Sequence, residues 1–317
     1  MTAQVVTVFG GSGFIGRTLI KRLAKTGAVI RVPVRNPERA KVLKPMGDVG
    51  QITPFRIDIR SDHEIAAAIA GSDAVVNLIG ILYERGASRF ALAHAEAPAR
   101  MAAAAHHAGL DRFVHVSAIG ADPGSPSAYA RSKAAGEAAV RAALPDAVIL
   151  RPSIVFGPED DFFNRFAALA QLLPALPLIG GGHTRFQPVY VGDVADAIMV
   201  ALNDPGTAGK TFELGGPRVY SFKALMELLL SEIQRRRLLV PLPFGLAALQ
   251  ALFLELLPVP PLTRDQVKLL AHDTVVGTGS LTLRDLGITP TAVEPILPTY
   301  LDRFRPGGRF APATRTR

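Results

Sequence analysis

Short apolar or β-branched runs recur along the first half of the chain, at Val5–Phe9, Val29–Val34, Ile52–Ile59, Ala74–Ile79, Arg112–Ser117 and Ala147–Leu150. Stretches with helical spacing lie between them, so the rhythm predicts successive βαβ units. Strands this uniformly apolar belong in a parallel sheet covered by helices on both faces. The expected fold class is α/β: a Rossmann-type doubly wound parallel sheet with a smaller, mainly helical C-terminal lobe. After Pro152 the rhythm loosens. Helices are expected at Phe162–Leu172, Val191–Leu202, Phe222–Ile233 and Thr263–Leu270, broken by Pro174–Pro177 and Gly180–Gly182. This pattern places the nucleotide-binding domain in residues 1–157, with 185–215 returning to it, the smaller lobe in 158–304 and a flexible basic tail in 305–317.

The stretch Leu238–Leu262 is nearly all apolar and follows Arg235, Arg236 and Arg237. Pro241, Pro243, Pro258, Pro260 and Pro261 confine any continuous helix to roughly a dozen residues, against about 20 for a bilayer span. Gln250 and Glu255 interrupt it further. Two readings stay open: a helix buried in the small lobe, or an apolar face at 235–262 that docks on a partner or a membrane surface. The buried helix is the preferred reading, although the triple arginine leans toward docking.

Candidate chemistry begins at Gly10-Gly11-Ser12-Gly13-Phe14-Ile15-Gly16, which follows the strand VVTVF and opens an amphipathic helix. Gly10 can take a backbone angle closed to other residues, Gly13 lets a pyrophosphate approach the main chain, and Gly16 lets the helix pack closely on the sheet. Amides at that helix end then bind the anion. The second strand ends without an acidic residue to accept from a ribose 2′-hydroxyl. It offers Arg35 instead, whose guanidinium can pair with a 2′-phosphate. NADP(H) is therefore expected over NAD(H), the alternative being an ordinary solvated arginine. Asp58-Ile59 at the end of the third strand could meet the adenine, and Leu78-Ile79-Gly80 after Asn77 would pass beneath the cofactor.

Tyr129 and Lys133, four apart on a helix-like stretch, share one face, and Ser117 closes the preceding strand. An ammonium beside the phenol is expected to lower its pKa, so that Tyr129 could exchange a proton with a carbonyl or alcohol oxygen. Ser117 would hydrogen-bond that oxygen, and Lys133 would also hold the nicotinamide ribose. The remaining candidates are weak. His106 and His107 point in different directions on a helix and His115 lies within a strand, so no metal site is expected. Glu159, Asp160 and Asp161 read as a solvated loop.

Composition narrows the classes. The chain has no cysteine, which excludes a disulfide framework, a zinc ribbon, an iron–sulfur cluster and a thiol nucleophile. The formal net charge of +8 is concentrated at one end, where the last fifteen residues hold Arg303, Arg305, Arg309, Arg315 and Arg317 and no acidic residue. With no aromatic-rich basic patch, no GxSxG and no Walker lysine, nucleic-acid binding, hydrolase and NTPase readings are weak. The start lacks a basic n-region and a cleavage site, so a cytoplasmic protein, peripheral on the cytoplasmic face of the inner membrane if it docks there, is expected.

The glycine turn, the NxxG-like element at 77–80, Ser117, Tyr129/Lys133 and Arg151-Pro152-Ser153-Ile154-Val155-Phe156-Gly157 together resemble the extended or atypical short-chain dehydrogenases/reductases, the superfamily of NAD-dependent epimerases and dehydratases. That resemblance implies that Pro152, Ser153, Ile154 and Val155 line the nicotinamide pocket. The segments RFQPVYVGDVADAI, DPGTAGKTFELGGPRVYSF, and LTRDQVKLLAHD with LRDLGITP are similar to the nucleotide-binding accessory subunits of respiratory complex I and their bacterial relatives. This closer likeness covers roughly residues 4–298. It implies a tightly held NADPH, complex I subunits as partners, and a role in assembly or stability with little or no turnover. A free-standing NADP(H)-dependent reductase, epimerase or isomerase acting on a carbonyl, quinone or isoprenoid-like substrate is the alternative.

Overall fold

The computed structural model describes residues 4–308 of the chain. In chain order the longer elements are β1 (Val5–Phe9), α1 (Phe14–Lys25), β2 (Val29–Val34), β3 (Ile52–Arg56), α2 (Asp62–Ile69), β4 (Ala74–Asn77), α3 (Ala97–His107), β5 (Phe113–Val116), α4 (Ala128–Ala143), β6 (Val148–Pro152), α5 (Phe163–Leu172), β7 (Ala175–Ile179), α6 (Val191–Asn203), β8 (Thr211–Leu214), α7 (Phe222–Glu232), β9 (Leu238–Leu242), α8 (Phe244–Leu254) and α9 (Arg264–Leu269). They form two units. The first takes the chain up to Pro152 together with Val191–Leu214 and Val276–Thr289; the second takes Ser153–Tyr190, Gly215–Val275 and the chain from Pro290 onward.

The first unit is built on a seven-stranded sheet in the order β8-β6-β5-β4-β1-β2-β3, and every pairing in it is parallel. Connections leave β1 toward β2 and β3 on one side and toward β4, β5 and β6 on the other, so the topological switch point falls between β1 and β4. A crevice must open there at the carboxyl ends of the strands, because consecutive crossovers depart to opposite faces. The apolar runs bury as expected: Val6, Val8 and Phe9 of β1 and Val75 and Val76 of β4 are fully enclosed. The helix α6 returns to this unit and is tied to α1 by the Arg22 guanidinium, which donates from Nε to Asp196 Oδ1 at 2.5 Å and from Nη2 to Oδ2 at 3.1 Å.

Several strand ends differ from expectation: the fifth strand stops at Val116 rather than Ser117, and the sixth runs on to Pro152 rather than Leu150. The third strand stops at Arg56 and the fourth at Asn77, so Asp58-Ile59 and Leu78-Ile79 lie on loops. Ladder pairing ends where neighbouring strands end, whereas apolar character continues into residues that pack on the core from a loop. The units also divide at Pro152/Ser153 rather than after residue 157, and Val276–Thr289 joins the sheet unit. There Leu281 bridges Phe212 of β8, and the Gly277 amide donates to Glu213 at 2.8 Å.

The second unit packs Phe156, Phe163, Phe186 and Phe222 into one aromatic core with Leu225, Leu229 and Tyr300. Its strands β7 and β9 pair in parallel. Asp160 is not solvated: it is buried and accepts from the Tyr300 hydroxyl at 2.5 Å, the Gly157 amide at 3.0 Å and the Asn164 amide at 3.1 Å. Burial pushes its carboxyl upward, and those donors pull it back. Residues 305–308 do not form the free tail expected from the sequence, since Arg305 donates to the Glu232 carbonyl at 2.9 Å and pairs with its carboxylate. Arg309, Arg315 and Arg317 lie outside the described residues.

A π-helical turn, Ala91–Glu96, precedes α3; the Ala97 amide reaches back to the Leu92 carbonyl. Against it lies Gly136 of α4, where an added Cβ would overlap the His94 carbonyl oxygen. Backbone meets backbone there, so neither side has a flexible group that could yield. Gly136→Ala is expected to cost about 2–3 kcal/mol of stability by overpacking, a loss of roughly 5–10 °C in Tm. A thermal unfolding curve superimposable on the parent's would contradict this packing.

Candidate functional site

The turn after β1 is made of main chain. Gly10 has φ +76°, and a Cβ on it would come within 2.9 Å of the Leu78 carbonyl carbon and 3.0 Å of the Ile79 nitrogen. Gly16 lies so close to the turn that a Cβ would stand 2.5 Å from Gly11 Cα. The Gly13 amide closes the turn on the Gly10 carbonyl at 3.0 Å. Gly13 is the N-cap residue of α1, with no side-chain cap and no acidic residue in the first turn. The first amides of α1, beside Ser12, Phe14 and Ile15, thus meet no competing carboxylate of their own helix, which suits an anionic ligand. This cradle fits the pyrophosphate of a dinucleotide.

Around it, Arg35 follows β2 directly and is exposed, with Nη1 3.4 Å from Ser88 Oγ. Asp58 is engaged by Arg60, whose Nη2 donates at 2.6 Å and Nε at 2.9 Å. Those bonds hold the Asp58 carboxyl at about 2, well below the ordinary range. Asp58 therefore stays ionised, with part of its acceptor capacity already taken. Ile59 packs its side chain on the sheet core. Leu78, Ile79 and Gly80 follow β4: the Leu78 amide donates to the Phe9 carbonyl at 2.9 Å and the Ile79 amide to Asn77 Oδ1 at 3.0 Å. The post-β4 loop is thereby fixed against the glycine turn.

Ser117, Tyr129 and Lys133 gather near Gly80. The Lys133 Nζ donates to the Val116 carbonyl, next to Ser117, at 3.3 Å, and stands 5.9 Å from the Tyr129 ring centroid. A Cβ on Gly80 would be 3.5 Å from the same nitrogen. Ser117 Oγ is buried without a hydrogen-bond partner among the described residues. The electrostatics depart from the expectation of an acidified phenol. Burial pushes Tyr129 up to about 12 and Lys133 down to about 8. Desolvation sets both shifts, because the phenol and the ammonium are taken out of water together.

His94, which the sequence reading did not single out, ties this cluster to the loop. The Ile81 amide donates to its Nε2 at 3.0 Å, so Nδ1 carries the proton of the neutral ring and donates to Ser132 Oγ at 2.8 Å. The Ser132 hydroxyl donates in turn to the Tyr129 carbonyl at 2.7 Å. Burial first, then Lys133, holds the ring down at about 3, so this chain of donors persists through the physiological range. Phe90 stacks on His94 at 5.3 Å, and Tyr129 meets both rings edge-on. No local signal could have found His94, because Ile81 is 13 residues away and Ser132 is 38. His115 is likewise internal: its Nδ1 meets Asn77 at 3.1 Å, and burial lowers it to about 3.

Of the residues implied for the nicotinamide pocket, Pro152 ends β6 in the first unit, where its carbonyl accepts from Ile119 at 3.0 Å. Ser153, Ile154 and Val155 fall in the second. There the Ser153 hydroxyl donates to the Thr274 carbonyl at 2.8 Å, and Val155 pairs with Val189. Among the described residues no group of His, Asp or Glu side chains is placed to hold a metal ion, and no helix is long and apolar enough to cross a membrane.

Known proteins resemble this chain in sequence and in fold. The chain is 40% identical over 316 residues to "NADH dehydrogenase [ubiquinone] 1 alpha subcomplex subunit 9, mitochondrial" of Arabidopsis thaliana, covering 96% of this chain and 79% of that protein. The mouse protein of the same name is 38% identical, covering 93% and 78%. Among solved structures, the dTDP-glucose 4,6-dehydratase DesIV of Streptomyces venezuelae with NAD bound superposes at a TM-score of 0.73, with 21% identity and coverage of 95% and 96%. The fold is a nucleotide-binding Rossmann fold of the NAD type. With residues 6–215 matching its family model, the chain belongs to the NAD dependent epimerase/dehydratase family.

Proposed function

We propose that this protein is an accessory subunit of respiratory complex I that holds NADP(H) as a structural ligand and turns it over little or not at all. The observation that carries this reading is the near full-length similarity to complex I subunits, 40% identity over 96% of the chain, which extends well past the nucleotide-binding segment. The site is consistent with retention rather than turnover. A phenol at about 12 does not readily release its proton near neutral pH, whereas a general acid–base works best with a pKa near the operating pH. Gly10–Gly16 would hold the pyrophosphate and Arg35 the 2′-phosphate. Asp58 and Ile59 would border the adenine. Leu78–Gly80, Tyr129 and Lys133 would meet the nicotinamide ribose, with Pro152 toward the ring. The location proposed with this role is peripheral, on the cytoplasmic face of the inner membrane.

Affinity capture from native membranes is expected to recover complex I subunits with this protein; recovery of the protein alone would count against the assignment. The cofactor preference rests on Arg35. Arg35→Ala is expected to weaken NADPH at least about tenfold, or roughly 1.4 kcal/mol, while NADH changes little. Equal losses for both, measured by calorimetric titration, would assign Arg35 no part in the choice.

The buried Lys133 gives a pH signature. Its pKa falls from 10.5 to about 8, so between those values the unfolded chain carries a proton that the folded chain lacks. Stability contributed by this group therefore rises with pH across that window, and near neutrality the enclosed ammonium is a net cost. Lys133→Met is expected to raise the unfolding free energy of cofactor-free protein near pH 7 by about 1–3 kcal/mol, with the gain shrinking toward pH 10. Urea unfolding across that range reads it; a pH-independent difference would mean that Lys133 is not the titrating group.

A further inference from the structure

We propose that the α8 face of the second unit docks on the surface of an anionic lipid bilayer. This goes beyond the assignment to complex I by naming the occupant of one surface, and it stands on packing within the second unit alone. The usual surface helix turns large apolar residues inward and polar ones outward. In α8 the order is reversed. Its buried residues are Ala247 and Ala251, packed with Ile179 and Val267. Its large side chains point away from that core: Leu246 is 56% exposed, Leu249 55% and Phe253 64%. Leu256, Leu257 and Val259 continue the exposed apolar surface beyond the helix.

The segment that leads into α8 exposes further large apolar side chains at the start of β9. The Leu238 amide donates to the Pro174 carbonyl at 3.2 Å, which brings exposed Leu238 beside exposed Leu172 and Leu173. Exposed Arg236 adjoins this junction, and Arg237 is tethered to it through Nε, which donates to the Ala170 carbonyl at 2.8 Å. The only acid between Arg235 and Leu262 is Glu255, and Arg264 neutralises it at 2.9 Å. An aliphatic surface this large on a soluble unit marks a docking site.

Three features select lipid over protein as the occupant. From Leu238 to Leu254 the sole polar side chain is Gln250, whereas protein interfaces carry about one hydrogen bond per 100–200 Å². The face is aliphatic apart from Phe253, and the chain contains no tryptophan, although Trp and Tyr dominate protein-binding hot spots. The arginine row Arg235–Arg237, which leads into Leu238 in the sequence, supplies charge that complements anionic headgroups. With 11 residues α8 is too short to span, so it would lie along the boundary between headgroups and acyl chains.

Because the natural sequence lacks tryptophan, Phe253→Trp supplies a single reporter. Purified full-length protein is expected to float with phosphatidylcholine vesicles containing about a third phosphatidylglycerol, and roughly tenfold less with phosphatidylcholine alone or in high salt. The reporter's emission should shift to the blue on those vesicles and be quenched by brominated acyl chains. The double variant Leu249→Ser/Phe253→Ser should bind at least about tenfold more weakly with an unaltered Tm, since both side chains face outward. No flotation with anionic vesicles at low salt, equal binding by the double variant, or a reporter that responds to solubilised complex I but not to vesicles would each overturn the proposal. The vesicles contain no protein, so failure here is distinguishable from failure to capture complex I.

Discussion

The contact between main chain and main chain at the end of β1 is the constraint on which the rest of the nucleotide site depends. Gly10 and Gly16 bring the turn against the post-β4 loop and the first turn of α1 at distances that no side chain could occupy. Where backbone touches backbone, position is set by covalent geometry rather than by rotamers. The cradle is therefore rigid before any ligand arrives. Its amides lie at the switch point of the sheet, where the crossovers diverge and leave room for a dinucleotide.

A second, side-chain layer extends that rigidity toward Tyr129 and Lys133. His94 is held by a π-helical turn and by the absence of a side chain at Gly136, and its two ring nitrogens have opposite roles fixed by their partners. An amide donor on one nitrogen forces the proton onto the other, so the ring links the post-β4 loop to α4 through directional bonds. The cost of this enclosure is electrostatic. Water removed from around Lys133 and Tyr129 destabilises the charged form of each.

The second unit follows another logic. Its aromatic core and the Asp160–Tyr300 bond give it internal order, while α8 turns small residues toward that core and leucines away from it. A chain that only needed to fold would gain by reversing that arrangement. Retaining it makes sense when an apolar phase lies outside.

Periodicity, glycine spacing and the strand-end residues made the doubly wound sheet, the phosphate turn, Arg35 and the Tyr129/Lys133 pair legible in the amino-acid order, because each depends on local dihedrals or on neighbours a few residues away. The same reading located the apolar stretch after Arg237 and the limit that its prolines place on helix length. Only the tertiary structure decided which face of α8 is outward, that Asp160 is buried, that β3 ends before Asp58, and that His94 belongs to the site. It also reversed the expected shift of Tyr129, because proximity of a lysine is visible in a four-residue spacing, whereas the removal of water is a property of everything that packs around the pair.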